Sequence, residues 1–381
     1  MYKKSVMILD GNTRIALALA RDFGRRGIRV IVGGPSMLSR AFYSKYAQEY
    51  FLYPVNSGCQ DAILANVKKY KPDVLMPVMG KSFETIIKNK GDYAAYTNLI
   101  PLPDYPDFKL MNDKYLLMKH ALKENIAIPE TFFLDSTDDA ESLSENLPYP
   151  VLVKPRVSGG GFGIGLVSSP GLLLNQISRT HDILSRYSGH CAGLPIIQEH
   201  IEGEVVNFYA YCERGVPKAV FMTRTIRQYP VKFGPGIASV SIKDKLTADI
   251  SRKLLEPLEW EGVISLQYII DKRDGLPKFI DANPRFWGTV ESPIAYGVDF
   301  PYLLFKKAIG EEIGREYDYA VGKKFRWVLF GEPFYLLKTG SRLSTIMDYL
   351  DIKDTKCEVS LSDILPHIVQ ALNILVSREI R

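Results

Sequence analysis

Lys278-Phe279-Ile280-Asp281-Ala282-Asn283-Pro284-Arg285-Phe286-Trp287-Gly288 joins a strand pattern to polar chemistry at its end. Side chains on a strand alternate between faces, so Asp281 and Asn283 share one side while Ile280 and Ala282 face a core. Pro284 lacks the amide hydrogen that a further ladder bond needs, so the strand ends there and Arg285 falls just past it. Oxygen ligands beside a fixed cation suit Mg²⁺ carrying polyphosphate. A strand ending in a turn, with Asp and Asn as solvated turn residues, would read the same way. The stretch alone does not separate the two.

The chain has 381 residues, more than one ordinary core holds, which implies two or three domains. A hydrophobic fraction of 46% and a charged fraction of 24% are those of a globular protein. The net charge of +5 is spread along the chain, without the dense Lys/Arg tract of a nucleic-acid binder. Cys59, Cys191, Cys212 and Cys357 are far apart, and the five histidines show no zinc spacing. Reduced, incidental thiols fit a cytoplasmic protein. The N-terminal apolar run is too short for a signal peptide, and no apolar stretch is long enough to cross a membrane. Neither nucleic acid nor membrane is expected as a partner.

Upstream, Val6–Leu9 reads as a buried parallel strand. Asp10-Gly11-Asn12 is a turn, and Thr13 caps a helix to about Arg26 with Ile15, Leu19 and Phe23 on its apolar stripe. Gly27 then ends the helix, and Ile28–Val32 is the next strand. This βαβ unit lacks GxGxxG, which argues against a dehydrogenase-type dinucleotide site. Asp73–Val78 adds another strand, so residues 1–108 read as one α/β domain, with Pro101–Pro106 as a linker. Asn112 or Asp113 caps a helix over Tyr115–Lys123. Strand-like runs follow at Val151–Lys154, Gly165–Ser168, Pro195–His200, Val205–Tyr211 and Ala219–Thr223. Ile264–Ile270 and Pro277–Asn283 pair through the turn residues Asp271–Gly275.

Ser158-Gly159-Gly160-Gly161-Phe162-Gly163 is a glycine-rich loop between strands, and glycines let backbone amides approach phosphate oxygens. No Lys-Ser or Lys-Thr follows it, so it is not a P-loop; a flexible hairpin is the bland alternative. Lys154, just upstream on an apolar strand, must either snorkel to solvent or meet an anion. Gln198-Glu199-His200-Ile201-Glu202-Gly203-Glu204 leaves a strand for an acidic turn and by itself reads as an exposed loop. Thr223–Gly236 contains Arg224 and Arg227 before a Gly/Pro loop. An arginine fork matches a carboxylate or acyl phosphate, which makes Arg227, Gly234 and Gly236 candidates for the carboxylate substrate; the alternative is a solvated loop.

The order of these elements carries more than any one of them. A helix opening on Asp-Lys is followed by Val-Lys-Pro, a glycine-rich loop, Gln-Glu-His-Ile-Glu-Gly-Glu and Asp-Ala-Asn-Pro-Arg. This succession resembles the ATP-grasp superfamily of carboxylate–amine ligases and the carbamoyl-phosphate synthase large subunit, over roughly residues 1–310. The resemblance implies an α/β and α+β architecture: a preATP-grasp Rossmann-like parallel-sheet domain (1–108), then a two-subdomain ATP-grasp fold (109–310). A small lid subdomain would span about 114–200 and a larger one about 201–310, leaving 311–381 as an extension of unknown role.

It also implies roles for individual residues. Lys114 and Lys154 would hold the ATP phosphates, and Ser158, Gly159, Gly160, Gly161 and Gly163 would close over them. Glu199, His200 and Ile201 would contact adenine, and Glu204 would take the ribose. Gln267, Asp281 and Asn283 would hold Mg²⁺ (or Mn²⁺), and Arg285 would steady the transferred phosphoryl group, with Lys154 and Arg285 as the catalytic pair. Peptide-type ligases usually carry a carboxylate at the position of Gln267, which bears on whether a second metal binds tightly. The implied activity joins a small carboxylate, amino acids included, to an amine through an acyl phosphate, releasing ADP. A homodimer is compatible with the resemblance. Two rivals stand beside this activity: carbamoyl-phosphate-synthase-like phosphorylation of a small acyl group, and a non-catalytic ATP-binding sensor.

Overall fold

Four strands flank the run Ser5–Ile8 (β1) in a parallel sheet: Arg29–Gly34 (β2), Ala47–Leu52 (β3), Val74–Met76 (β4) and Asn98–Leu99 (β5), in the order β3-β2-β1-β4-β5. All four β1 residues are buried, as expected for a central strand covered on both faces. The computed structural model describes residues 3–188, 193–329, 331–340, 347, 349 and 353–377. Helix Arg14–Arg25 starts where the sequence places it: the Thr13 hydroxyl accepts the Ala16 amide at 3.1 Å. Gly27, at φ +71°, turns the chain into β2.

Asp10, at φ +59°, ties the C-terminal ends of β1 and β4 together. Its carboxylate accepts the Tyr53 hydroxyl (2.8 Å), the Ser82 hydroxyl (2.7 Å) and the Val78 and Met79 amides. Ligands of open α/β sheets bind outside these strand ends, so this hub stiffens one wall of a crevice.

The second sheet is antiparallel: Thr131–Phe132 (β6), Val151–Lys154 (β7), Gly165–Val167 (β8) and Ile196–Glu199 (β9), in the order β6-β9-β7-β8. The third contains Gly203–Glu213 (β10), Val216–Gln228 (β11), Gly236–Ile242 (β12), Gly262–Asp271 (β13), Pro277–Asn283 (β14), Lys324–Arg326 (β15) and Thr355–Cys357 (β16), in the order β14-β13-β10-β11-β12-β15-β16. β13 and β14 form the expected hairpin, with Asp271 and Asp274 as turn formers that accept the amides of Arg273 and Leu276.

The expected linker is shorter than its prolines suggest. Pro101–Asp104 is irregular, but Pro106 lies in the first turn of helix Tyr105–Asn112, where a missing amide hydrogen costs nothing. Past residue 310 the chain still belongs to the large sheet through β15 and β16. Helix Leu365–Ser377 then returns to the first sheet's domain, where Arg21 Nε donates to Asp363 at 2.8 Å. Phe286, Trp287, Phe300 and Leu304 share the core of the N-terminal domain. The exit of β14 is thus packed on that domain. Cys59, Cys212 and Cys357 are free thiols; Cys191 lies outside the described residues. No described helix is long and apolar enough to cross a membrane.

Candidate active site

A cavity of about 1360 Å³ takes its walls from the second and third sheets and from loops and helices that follow the strands of the first. Lys114 opens helix Lys114–Lys123, with the Asp113 carboxylate as N-cap accepting the Tyr115 amide at 2.9 Å. Arg156 clamps Asp113 through two nitrogens, and the Lys114 amide donates to the Arg156 carbonyl, which locks this helix start to the end of β7. The Lys114 ammonium is buried. It donates to the Ser158 carbonyl at 3.2 Å and lies 3.2 Å from Asp281 Oδ1.

Lys154 ends β7 as a buried ammonium rather than a snorkelling one, and it donates to Gln198 Oε1 at 2.5 Å. Gln198 is itself fixed, its amide nitrogen donating to Thr131 Oγ1 at 2.8 Å. Burial pushes the Lys154 pKa down to about 8; Asp281 opposes this and Lys114 reinforces it. Two buried ammonium groups facing the one carboxylate of Asp281 leave positive charge for an anionic ligand.

Asp281 and Asn283 lie on the cavity side as expected, but Ile280, expected in the core, lines the cavity too: a bulge leaves it unpaired, breaks the alternation, and makes Phe279 and Ala282 the buried positions. Gln267, opposite Asp281, is there as well. Its amide nitrogen donates to Asn207 Oδ1 at 2.9 Å, and the Asn207 nitrogen donates to Thr225 Oγ1 at 3.2 Å. That chain turns the Gln267 carbonyl oxygen away from Asn207. Asp281 Oδ1 is buried without a hydrogen-bond partner, so its approach to Lys114 is purely electrostatic. An unsatisfied carboxylate oxygen beside two amide oxygens fits a hard divalent cation. Arg285 donates to Asn283 Oδ1 at 3.0 Å and to the Phe286 carbonyl at 2.7 Å. Burial lowers its pKa, with Asp281 and Asp10 acting the other way.

The glycine-rich loop lies over this wall. A Cβ at Gly159 would stand 3.0 Å from Arg285 Nη2. Gly161, at φ +76°, would put a Cβ 1.8 Å from the Phe233 carbonyl oxygen. Backbone there meets backbone, and only glycine allows it. The loop carrying Gly234 and Gly236 therefore closes against the Ser158–Gly161 loop, and both line the cavity. Gly163 stands behind the wall, against Pro155.

Glu199, His200 and Ile201 line the cavity, with the Glu199 side chain held by Arg273 at 2.6 Å. Besides Gly163, two expected residues are absent from the wall. Glu204 falls on the opposite face of β10 from Val205 and Asn207, and pairs with Arg224 at 2.7 Å. Arg227 is committed to the fully buried Glu332, which also accepts Arg326 Nε at 2.8 Å. Sequence alone could not show a partner 105 positions away. It also passed over Asn207, although a polar residue amid Val205–Tyr211 is a visible break in an apolar strand. Gln198 and Arg14 were missed as well.

These features are similar to those of an ATP-grasp domain, which part of the chain matches. Residues 111–289 match the family model of the ATP-grasp domain, and the chain carries that domain behind its parallel-sheet domain. Solved structures share the fold. The biotin carboxylase domain dimer of Hydrogenobacter thermophilus 2-oxoglutarate carboxylase, in complex with MgADP, ADP and bicarbonate, aligns at 18% identity and TM-score 0.69, covering 84% of this chain and 73% of that one. Biotin carboxylase from Campylobacter jejuni in its β-γ-ATP complex aligns at 19% and TM-score 0.70, covering 84% and 74%. Staphylococcus aureus N5-carboxyaminoimidazole synthetase complexed with ADP aligns at 15% and TM-score 0.66, covering 85% and 81%.

Proposed function

We propose that the protein is an ATP-dependent carboxylate–amine ligase that works through an acyl phosphate. The observation that carries this reading is the convergence of Lys114, Lys154, Arg285, Asp281 and Asn283 on one cavity wall beneath the Ser158–Gly161 loop. A substrate carboxylate oxygen attacks the γ-phosphorus, the bond to the β-phosphate oxygen breaks, and ADP leaves. The amine nitrogen then attacks the acyl carbon, the carbon–oxygen bond breaks, phosphate leaves, and the nitrogen gives up a proton to form the amide.

Phosphoryl transfer asks the protein for position and charge stabilisation. Lys114 and Lys154 hold the polyphosphate. Arg285 stabilises charge on the phosphoryl group in flight. The glycine loop covers it and excludes water. Glu199, His200 and Ile201 form the adenine end. Gln267, Asp281 and Asn283 would hold Mg²⁺ or Mn²⁺, which when bound screens phosphate charge. The loop with Gly234 and Gly236 reaches the acyl-phosphate side; Arg227 braces it through Glu332 and does not contact the substrate.

The neutral Gln267 keeps a second reading alive, in which a small acyl group is phosphorylated and released as the acyl phosphate. The deciding experiment is an ADP-release screen of small carboxylates and amines in pairs, amino acids included, with product analysis. An amide with ADP and phosphate supports ligation, and a released acyl phosphate supports the second reading. AMP with pyrophosphate refutes both.

A further inference from the structure

Arg14 is a cation of the cavity lining well away in sequence from the phosphate lysines. Arg14 is the first residue of helix Arg14–Arg25. A cation there opposes the positive end of the helix dipole, and no acidic residue occupies that first turn to offset it. Among the described residues Arg14 makes no hydrogen bond or ion pair. Its guanidinium lies 4.8 Å from the centre of the Trp327 ring. Gly288 makes the room, since a Cβ there would sit 2.6 Å from Arg14 Nη2. Gly288 comes three residues after Arg285, so the same exit from the metal strand carries the phosphoryl arginine and the glycine that admits Arg14.

Unspent donors also line the cavity. Ser239 Oγ and Trp287 Nε1 are buried without hydrogen-bond partners, and both residues line the cavity. Buried donors left unsatisfied are costly unless a ligand completes them. Tyr209 stacks on Trp287 with ring centres 4.4 Å apart and planes 9° from parallel, and its hydroxyl bonds Thr289 at 2.9 Å. The carboxylates that face Arg14 already have other partners: Glu291 pairs with Arg21, and Glu358 accepts the Val328 and Leu329 amides.

We propose that Arg14, with Ser239 and the Tyr209–Trp287 stack in the same cavity, binds a carboxylate of an organic substrate other than the carboxylate that is phosphorylated. The planar fork matches a carboxylate with two parallel bonds, and the flat apolar stack supports the carbon skeleton next to it. The inference rests on the ligase reading and narrows its substrates to two sources: an α-amino acid as the amine, or a dicarboxylic acid as the acid.

Two measurements test it. In the first, protein loaded with a non-hydrolysable ATP analogue is screened by thermal shift against the twenty amino acids, C3–C6 dicarboxylates and their carboxamides. An acid is expected to stabilise the wild type while its carboxamide does not, and Arg14→Gln is expected to lose that shift while keeping the shift from the nucleotide analogue. In the second, the active pair is assayed for ADP release. Arg14→Gln should raise KM for one substrate by roughly 10²-fold, more than it lowers kcat, and Arg14→Lys should recover part of the loss. Gly288→Ala, which displaces the guanidinium, should act in the same direction. Which substrate's KM moves tells amino acid from dicarboxylate.

Equal shifts or KM values in wild type and Arg14→Gln would overturn the subsite, and so would a panel in which no acid stabilises the wild type or in which carboxamides match their acids. ADP release that persists through those results would leave the ligase reading standing. An Arg14-dependent shift with no ADP release from any pair would overturn the ligase reading instead.

Discussion

The Lys114 ammonium lies 3.2 Å from Asp281 Oδ1, joining the first residue of a helix to the metal-facing side of a strand 167 positions later. In the proposed reaction each group serves a different part of one ligand, Lys114 a phosphate and Asp281 a divalent cation. Replacing Asp281 with Asn keeps the shape and removes the charge. ADP formation is expected to fall by about 10²–10³, as for loss of a preorganised charge stabiliser. Initial rates across a Mg²⁺ titration check it, and near-normal turnover at ordinary Mg²⁺ would remove Asp281 from the metal set.

Gln267 is held by Asn207, so a carboxylate in its place would meet the Asn207 oxygen until that amide turned over. The Thr223 and Thr225 hydroxyls next to Asn207 can rotate to accommodate the flip. Gln267→Glu is therefore expected to lower the Mg²⁺ concentration for half-maximal rate by roughly tenfold, since affinity for hard cations follows ligand charge. An unchanged Mg²⁺ dependence would show that the side chain does not reach the metal.

Lys154, with its pKa near 8 against an ordinary 10.5, gives a pH signature. Below about 8 both the folded and unfolded chains hold the proton, and the cost of a buried charge is carried in full. Between the two values the unfolded chain holds more protons, so this group's contribution to stability rises with pH across that window. A bound polyphosphate favours the charged form. Nucleotide binding near pH 9 is therefore expected to take up close to one proton, roughly the whole group. Calorimetry in buffers of different ionisation enthalpy measures this uptake. Lys154→Met should abolish it, and equal uptake in that variant would point to another group.

Gly161→Ala introduces a Cβ where the Phe233 carbonyl stands, at a positive φ that alanine adopts only with strain. The two loops would have to part. Turnover is expected to drop by about 10², because a misplaced loop loses positioning, while stability changes by about 1–3 kcal/mol at most. Rate and chemical denaturation measured on one preparation separate these effects; an unchanged rate would mean that the closed contact is not part of the cycle.

Arg227→Met leaves Glu332 buried with one fewer cation. The expected loss is about 3–5 kcal/mol of stability, as for breaking a buried pair, with substrate KM values unchanged in the protein that folds. A rise in KM without loss of stability would return Arg227 to the substrate site.

Much of this was legible in the chain. The period-two pattern of Pro277–Asn283 and the turn residues after Asp271 were enough to pair two strands, because register in a tight hairpin is local. Thr13 and Asp113 marked helix starts through capping chemistry that needs only three or four neighbours. The spacing of Val-Lys-Pro, the glycine loop and Asp-Ala-Asn-Pro-Arg survives in any conformation, so the family resemblance could be seen without a structure.

The chain by itself therefore determined which residue types could meet phosphate and metal, and in what order they arrive. Only the tertiary structure decided which of them share one cavity. Glu204 and Arg227 have the right chemistry, but strand alternation turned one to the outer face and a distant buried glutamate claimed the other. Arg14 had no motif to announce it and became a wall of the cavity because Gly288, far along the chain, left space for it. Charge and hydrogen-bonding capacity belong to a residue, but partnership depends on what the fold brings within about 3 Å, and contacts between distant segments are not written locally.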